Sequence, residues 1–217
     1  MKIRLETPGD YSAVESLTRE AFWNVYKPGC SEHYILHAFR ERPEFIKELD
    51  FVLEDTDVIS NGKKSESLHI VAHVMFARSQ LIRSGGIQIP VCTFGPISVR
   101  PDMQRKGYGR RLLAYALEKA SQLRYGAVCI TGNIAFYGTC GFVTASSMNV
   151  KYAEDPDSDA PYFLLKELRS GFLNEKLAGK SASFKEPDGY FVSDDDVEAF
   201  DRQFPPKQKL RLPGQLF

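Results

Sequence analysis

The residues with the strongest chemical implication lie between Val99 and Leu117, in the stretch VRPDMQRKGYGRRLLAYAL. Gly107 and Gly109 stand one residue apart at the mouth of an amphipathic helix pattern, with Gln104, Arg105, Lys106, Tyr108 and Arg110 around them. Glycine in a helix costs roughly 1 kcal/mol relative to alanine, so two of them here need a reason. A helix N-terminus carries backbone N–H groups without intrahelical partners and a partial positive charge. With side chains removed, a phosphate can approach closely enough to accept several of those N–H bonds. The basic residues add donors and charge at the same spot, and a diphosphate is the natural guest. Glycines that merely serve positive φ angles in a turn would be spelled the same way, so the pattern alone supports both readings. Two other phosphate loops are excluded. The run G-x-x-x-x-G-K-[ST] is absent, as are the third glycine and downstream acidic residue of a dinucleotide fingerprint. Arg111 reads as a solvated charge on the helix face.

Positioning such a loop takes a strand before it and a helix after it, and the sequence supplies both. LHIVAHVMFARSQLI (68–82) and IQIPVCTFGPISV (87–99) read as long strands joined through Gly85-Gly86. Gly95-Pro96 within the second reads as a bulge or bend, because proline cannot donate to a ladder. Leu112, Leu113, Ala116, Leu117, Ala120 and Leu123 make one apolar stripe on the helix, and Gly126 stands where a C-terminal cap is expected. A strand AVCIT (127–131), a helical turn over Phe136 to Cys140 and a strand YFLLKEL (162–168) follow. Upstream, MKIRLET alternates as a half-buried strand does, and Pro8-Gly9-Asp10 turns the chain with Asp10 as a helix cap. Helices are expected over Tyr11 to Trp23 and Ser31 to Phe39, with another beginning at Pro43 to Lys47. Phe51 to Leu53 reads as a short strand, and residues 54–67 read as a polar turn region. The tail from Ser170 is rich in charge, glycine and proline, with one helix expected at Asp196–Phe204. The order gives an α+β fold: a mixed sheet, mostly antiparallel, with one parallel pair around the central helix. The expected organisation is a domain over 1–168 and an extension over 169–217 that packs on it.

Composition narrows the class. The chain has 217 residues with 28 basic and 28 acidic side chains, so it has no global basic field of the kind that nucleic-acid binders use. Charged residues interrupt the start MKIRLETPGD, which does not read as a signal peptide, and no run approaches a membrane span. Cys30, Cys92, Cys129 and Cys140 have no C-x-x-C spacing, which favours reduced thiols in a cytoplasmic protein. No metal-ligand cluster is legible in the sequence.

Gln104 to Gly109 matches Q/R-x-x-G-x-G/A, and the chain thereby resembles the GNAT N-acetyltransferase superfamily. The setting agrees: a strand ending in V-R-P, the loop, then the helix. Asn133 to Phe142, NIAFYGTCGF, is similar to the family's second motif, with Tyr137 five residues before the phenylalanine of Gly141-Phe142. NIAFY is tighter than the common N-x-x-A-x-x-x-Y spacing, with three residues between Asn133 and Tyr137. TFGPISVRP and the AFDRQFPP ending further resemble a bacterial subgroup of these proteins. The resemblance implies acetyl-CoA in a cleft where two parallel strands splay apart. The diphosphate would rest on the amides of Arg105 to Arg110, and the pantetheine arm would pair with the backbone of Ile97, Ser98 and Val99. Asn133 would touch that arm and Phe136 would wall the channel. Homodimers are common among proteins that this chain resembles.

Acetyl transfer to an amine needs a proton removed from the amine, a stabilised oxyanion and a protonated leaving thiolate. Tyr137, whose phenol is a donor at neutral pH, takes the last role by its motif position. Candidate bases are His69 and His73, which share one strand face, and Glu20 and Glu32 on the first helices; a water chain would also serve. A covalent route through Cys140 or Cys92 would need a depressed thiol pKa and a nearby base. The acceptor, a small-molecule or protein amine, would sit among the first helices and the loop over residues 24–34. A GNAT-fold protein that holds acyl-CoA without catalysis, as sensor or scaffold, is the competing expectation.

Overall fold

The computed structural model of the chain describes residues 1–55 and 70–215. Most of the polar turn region expected over 54–67, the beginning of the strand at 68, and His69 fall outside the described residues. The chain forms two compact units, one of Met1–Met75, Pro96–Leu113 and Asp188–Phe217, the other of Phe76–Gly95 and Ala114–Pro187.

In the first unit, strand β1 (Lys2–Leu5) pairs antiparallel with β2 (Phe51–Glu54), which pairs antiparallel with the first half of β3 (Ile70–Arg83). Helices α1 (Tyr11–Phe22) and α2 (Glu32–Phe39) match the helical spacing of their apolar residues, with Val14, Leu17, Leu36 and Phe39 buried. Asp10 occupies the α1 cap position without a side-chain cap bond. Its carboxylate is taken instead by Arg4, at 2.6 and 2.8 Å, and by the N–H and hydroxyl of Thr7. The expected helix from Pro43 is only a short 3-10 turn at Lys47–Leu49. Helix α6 (Asp194–Asp201) starts two residues earlier than its expected Asp196, because Ser193 Oγ accepts the Asp196 N–H at 3.1 Å. It ends at Asp201, ahead of Pro205-Pro206, which cannot continue a helix.

In the second unit the strand order is β3, β4 (Ile87–Val99), β5 (Ala127–Thr131), β8 (Phe163–Glu167), β6 (Val143–Thr144). Gly85 and Gly86 turn the β3–β4 hairpin at φ +95° and +80°. β4 and β5 form the expected parallel pair, and β5–β8 and β8–β6 are antiparallel. A further short parallel ladder joins β7 (Val150–Tyr152) to β9 (Ala182–Phe184), and β9 is antiparallel to β3. Helix α4 (Ile134–Tyr137) follows β5, and α5 (Phe172–Leu177) lies in the stretch read as tail.

Helix α3 (Tyr108–Gln122) runs from the first unit's sequence into the second's. Leu112, Leu113, Ala116, Leu117 and Ala120 are buried as the stripe requires, whereas Leu123 lies beyond the helix end and is exposed. The C-terminal turn is made at Arg124, φ +67°, rather than at Gly126. Gly126 serves close approach instead: a Cβ there would stand 2.1 Å from the Phe172 ring.

Candidate active site

The basic loop lies between the 3-10 turn at Pro101–Met103 and the first turn of α3. Gln104 Nε2 donates to the carbonyl of Val99 at 3.1 Å, which ties the loop to the end of β4. Arg105 at φ +60° and Gly107 at φ +86° are both left-handed. Alternation of left- and right-handed residues turns successive N–H groups toward one side and makes an anion-binding concavity. A Cβ at Gly107 would meet nothing within 4 Å, so no protein neighbour requires glycine there for space. The Gly107 carbonyl accepts the Arg111 N–H at 3.0 Å and starts the helix, leaving the earlier amides as its first turn. Gln104, Arg105, Lys106, Gly107 and Arg110 are exposed, and Tyr108 and Gly109 are half-buried. The loop therefore presents its basic side chains and an open Gly107 to solvent.

On β4, Gly95 sits at φ +145°, a backbone state that side chains rarely adopt, and Pro96 follows it. The β4–β5 ladder covers Cys92–Thr93 against Val128–Cys129, so parallel pairing stops just before that irregular pair. Further along, the side chain of Ser98 is buried and shares a 2.7 Å hydrogen bond with Thr18 Oγ1 of α1. The side chain of Ser98 is thus committed to the helix.

The second motif is built around an aromatic cluster. The Tyr137 ring meets Phe136, Phe94 and Phe142 edge to face, at centroid distances of 4.9, 5.7 and 5.7 Å. Gly132, at the end of β5, makes room for it: a Cβ there would lie 2.4 Å from Tyr137 Cε2 and 2.9 Å from Cδ2. Sequence reasoning missed Gly132, though a glycine closing a strand is a recognisable sign of close approach. Asn133 caps α4, its Oδ1 accepting the Ala135 N–H at 2.8 Å. Gly141, at φ +85°, turns the chain so that buried Phe142 can donate its N–H to the Tyr137 carbonyl at 3.2 Å. Phe136 is 37% exposed and free to wall a channel.

The candidate bases separate clearly. His73 is fully buried, with Nε2 at 2.7 Å from Asp50 Oδ1 and 4.0 Å from Glu6 Oε1. Arg40 binds Glu6 through two hydrogen bonds, at 3.0 and 2.8 Å, and also holds Glu15. Burial lowers the His73 pKa to about 4 and raises those of Glu6 and Asp50 to about 7 and about 6. A proton in this cluster therefore resides on the carboxylate side. Donor atoms of Glu6, Asp50 and His73 lie within 4.8 Å of one another, a metal-like spacing. Arg40 already engages both oxygens of Glu6, so the group reads as a charge-compensated core, and His73 is a structural residue rather than a base. Glu20 is exposed and accepts from Lys207 Nζ at 2.7 Å. It borders a cavity of about 810 Å³ that is also walled by Arg4, Asp10, Ser16, Arg100 and Asp102. Glu32 accepts the Ser31 N–H at 2.9 Å, and burial raises its pKa. All four cysteines are free thiols. Burial pushes Cys92 and Cys129 well up and Cys30 up to about 12, the opposite of what a nucleophile needs.

Comparison with known proteins bears on the fold. Residues 65–144 match the family model described as acetyltransferase (GNAT) domain. The chain is similar to a GNAT-family N-acetyltransferase (YhbS) from Escherichia coli solved in complex with CoA, at 21% identity and a TM-score of 0.69, over 87% of this chain and 91% of that one. It is also similar to a GNAT-family acetyltransferase from Brucella melitensis solved in complex with acetyl-CoA, at 21% identity and a TM-score of 0.55, over 76% and 86% of the two chains. None of the curated proteins matches the sequence. Among the described residues, no helix is long and apolar enough to cross a membrane. The segment that carries the phosphate-type loop, the irregular strand and the tyrosine motif thus lies within the match to a GNAT acetyltransferase domain, and the chain has the fold that the similar GNAT-family structures have.

Proposed function

We propose that the protein is an N-acetyltransferase that moves an acetyl group from acetyl-CoA to a primary amine by direct attack in a ternary complex. The observation that carries this reading is the loop at the start of α3. There a left-handed Gly107 opens onto free space among exposed Gln104, Arg105, Lys106 and Arg110, within the segment that matches the GNAT domain. The amides of Arg105 to Arg110 would hold the diphosphate, with helix polarity and side-chain charge acting in the same direction. The backbone of Ile97 to Val99 would pair with the pantetheine arm, a role supported by the commitment of Ser98 Oγ to Thr18. Asn133 uses its oxygen as a helix cap, so its amide nitrogen is the group that would reach the arm, beside Phe136.

Acetyl-CoA supplies the activated acyl group as a thioester. Tyr137 would give its phenolic proton to the departing thiolate, held on aim by Phe94, Phe142 and the space left at Gly132. With His73 buried in an ion cluster, amine deprotonation falls to Glu20, Glu32 or water. The acceptor side is assigned to residues 24–34, and the setting to the cytoplasm, with which four free thiols agree. The test is a thiol-release assay with acetyl-CoA and a series of primary amines. Release by the wild type and a loss of kcat without loss of acetyl-CoA affinity in Tyr137→Phe support the proposal. A protein that binds acetyl-CoA but releases no thiol with any amine contradicts it and favours the sensor reading.

A further inference from the structure

One part of the first unit is left unused by the chemistry above: the run from Pro205 to Gln215, which has neither helix nor strand. Its anchor is Asn24, in the loop after α1. Asn24 stands at φ +60°, a state that asparagine tolerates better than most residues. Its Oδ1 accepts the Gly29 N–H at 2.8 Å, which closes the loop on itself, and the Leu210 N–H at 3.0 Å. Its Nδ2 donates to the Gln208 carbonyl at 3.0 Å, and its own carbonyl accepts Gln215 Nε2 at 2.9 Å. Next to it, Trp23 Nε1 donates to the same Gln208 carbonyl at 3.0 Å. One side chain therefore joins both ends of a loop to a segment 186 residues away in sequence.

Charge reinforces the joint. Arg19, 2% exposed, donates to both oxygens of Asp201 at 2.6 and 3.0 Å, and His33 Nε2 lies 3.0 Å from the same carboxylate. The Arg19 guanidinium lies over the Trp23 ring at 4.2 Å. Between the loop and the C-terminal residues lies a cavity of about 310 Å³, walled by Trp23, Lys27 and Cys30 on one side and Val197, Glu198 and Arg211 on the other. That volume is at the lower end of the range of small-molecule sites, roughly 300 Å³ and above. The loop and the segment wall this cavity together.

We propose that Asn24 is a positioning residue, a latch that fixes the 24–30 loop against the 207–215 segment and thereby shapes the acceptor side of the enzyme. The acceptor part of this inference rests on the proposed transfer reaction. The latch itself does not.

Asn24→Gly isolates the latch, because glycine is at ease at this φ while all three side-chain bonds disappear. Asn24→Asp keeps an acceptor for Gly29 and Leu210 and loses only the donor to Gln208. Hydrogen–deuterium exchange reads the joint directly. The amides of Gly29 and Leu210 should exchange roughly fivefold faster in Asn24→Gly, each having lost its hydrogen-bond acceptor, and less so in Asn24→Asp. Thiol-release kinetics with acetyl-CoA and ethanolamine, L-lysine and spermidine as probe amines read the consequence. KM for the best probe should rise severalfold in Asn24→Gly, with kcat and KM for acetyl-CoA little changed. Unchanged exchange at both amides overturns the latch. Faster exchange with an unchanged amine KM removes its acceptor role. A wild type that turns over none of the amines overturns the transfer reaction and the acceptor role with it, while the exchange result still decides the latch.

Discussion

Gly132→Ala tests how tightly the tyrosine motif is aimed. The added methyl would stand 2.4 Å from Tyr137 Cε2 and 2.9 Å from Cδ2. Carbon atoms settle at about 3.5 Å or more, so the ring must retreat by roughly 1 Å. Phe94 and Phe142, buried at 1% and 3% exposure, resist that movement, and the side with give is toward half-exposed Phe136. Misplacing a reacting group by about 1 Å can cost roughly 100-fold in rate, and overpacking of this kind costs about 1–3 kcal/mol of stability. The expected variant is folded, somewhat less stable, able to bind acetyl-CoA, and lower in kcat by one to two orders of magnitude. The assay is thiol release beside urea unfolding of the same preparations. A double-mutant cycle sharpens it: in a Tyr137→Phe background, Gly132→Ala should add little further loss of rate, because the group it misaligns is already gone. Undiminished turnover in folded Gly132→Ala, or full additivity with Tyr137→Phe, would refute the reasoning.

Other outcomes follow from the same structure. Tyr137→Phe should reduce kcat strongly with an unchanged acetyl-CoA Kd by calorimetry; equal turnover would remove Tyr137 from the mechanism. Arg40→Ala leaves Glu6 and Glu15 without their shared cation and should cost about 3–5 kcal/mol in urea unfolding, whereas a cost below about 1 kcal/mol would contradict the charge-compensated core. Burial holds the His33 pKa at about 4, against 6.5 for an ordinary histidine, so between those values the unfolded chain binds the extra proton. The His33 contribution to stability is therefore complete above about pH 6.5 and is lost as pH falls toward about 4. A His33→Gln variant should show a shallower fall of Tm over that range, and an identical slope would count against the assignment.

Where the candidate site was legible in the sequence, it was written in short-range pattern. The loop Gln104–Gly109 stands out because glycines at a helix mouth are locally costly, and Gly107 has a left-handed φ with open space around it. Strands β3 and β4 and the buried stripe of α3 followed from alternation and helical spacing. The features that escaped are long-range or depend on a neighbour. Gly126 looked like a helix cap, but it is glycine because Phe172 lies against it, and the turn fell to Arg124. His73 looked like a candidate base on a strand face. Only the fold shows that Asp50, Glu6 and Arg40 surround it. The Arg19–Asp201 pair spans 182 residues, and no window of sequence contains both. The α6 boundary was misjudged by the strength of one cap, Ser193, against the acidic residues behind it.

The central claim is that the loop at the start of α3 cradles the diphosphate of acetyl-CoA, and calorimetric titration with acetyl-CoA tests it most directly. The wild type should bind, and a Gly107→Glu, Gly109→Glu double variant, verified as folded by circular dichroism, should lose binding because bulk and negative charge fill the cradle. Retained affinity in the folded double variant, or a folded wild type that does not bind acetyl-CoA, would contradict the account.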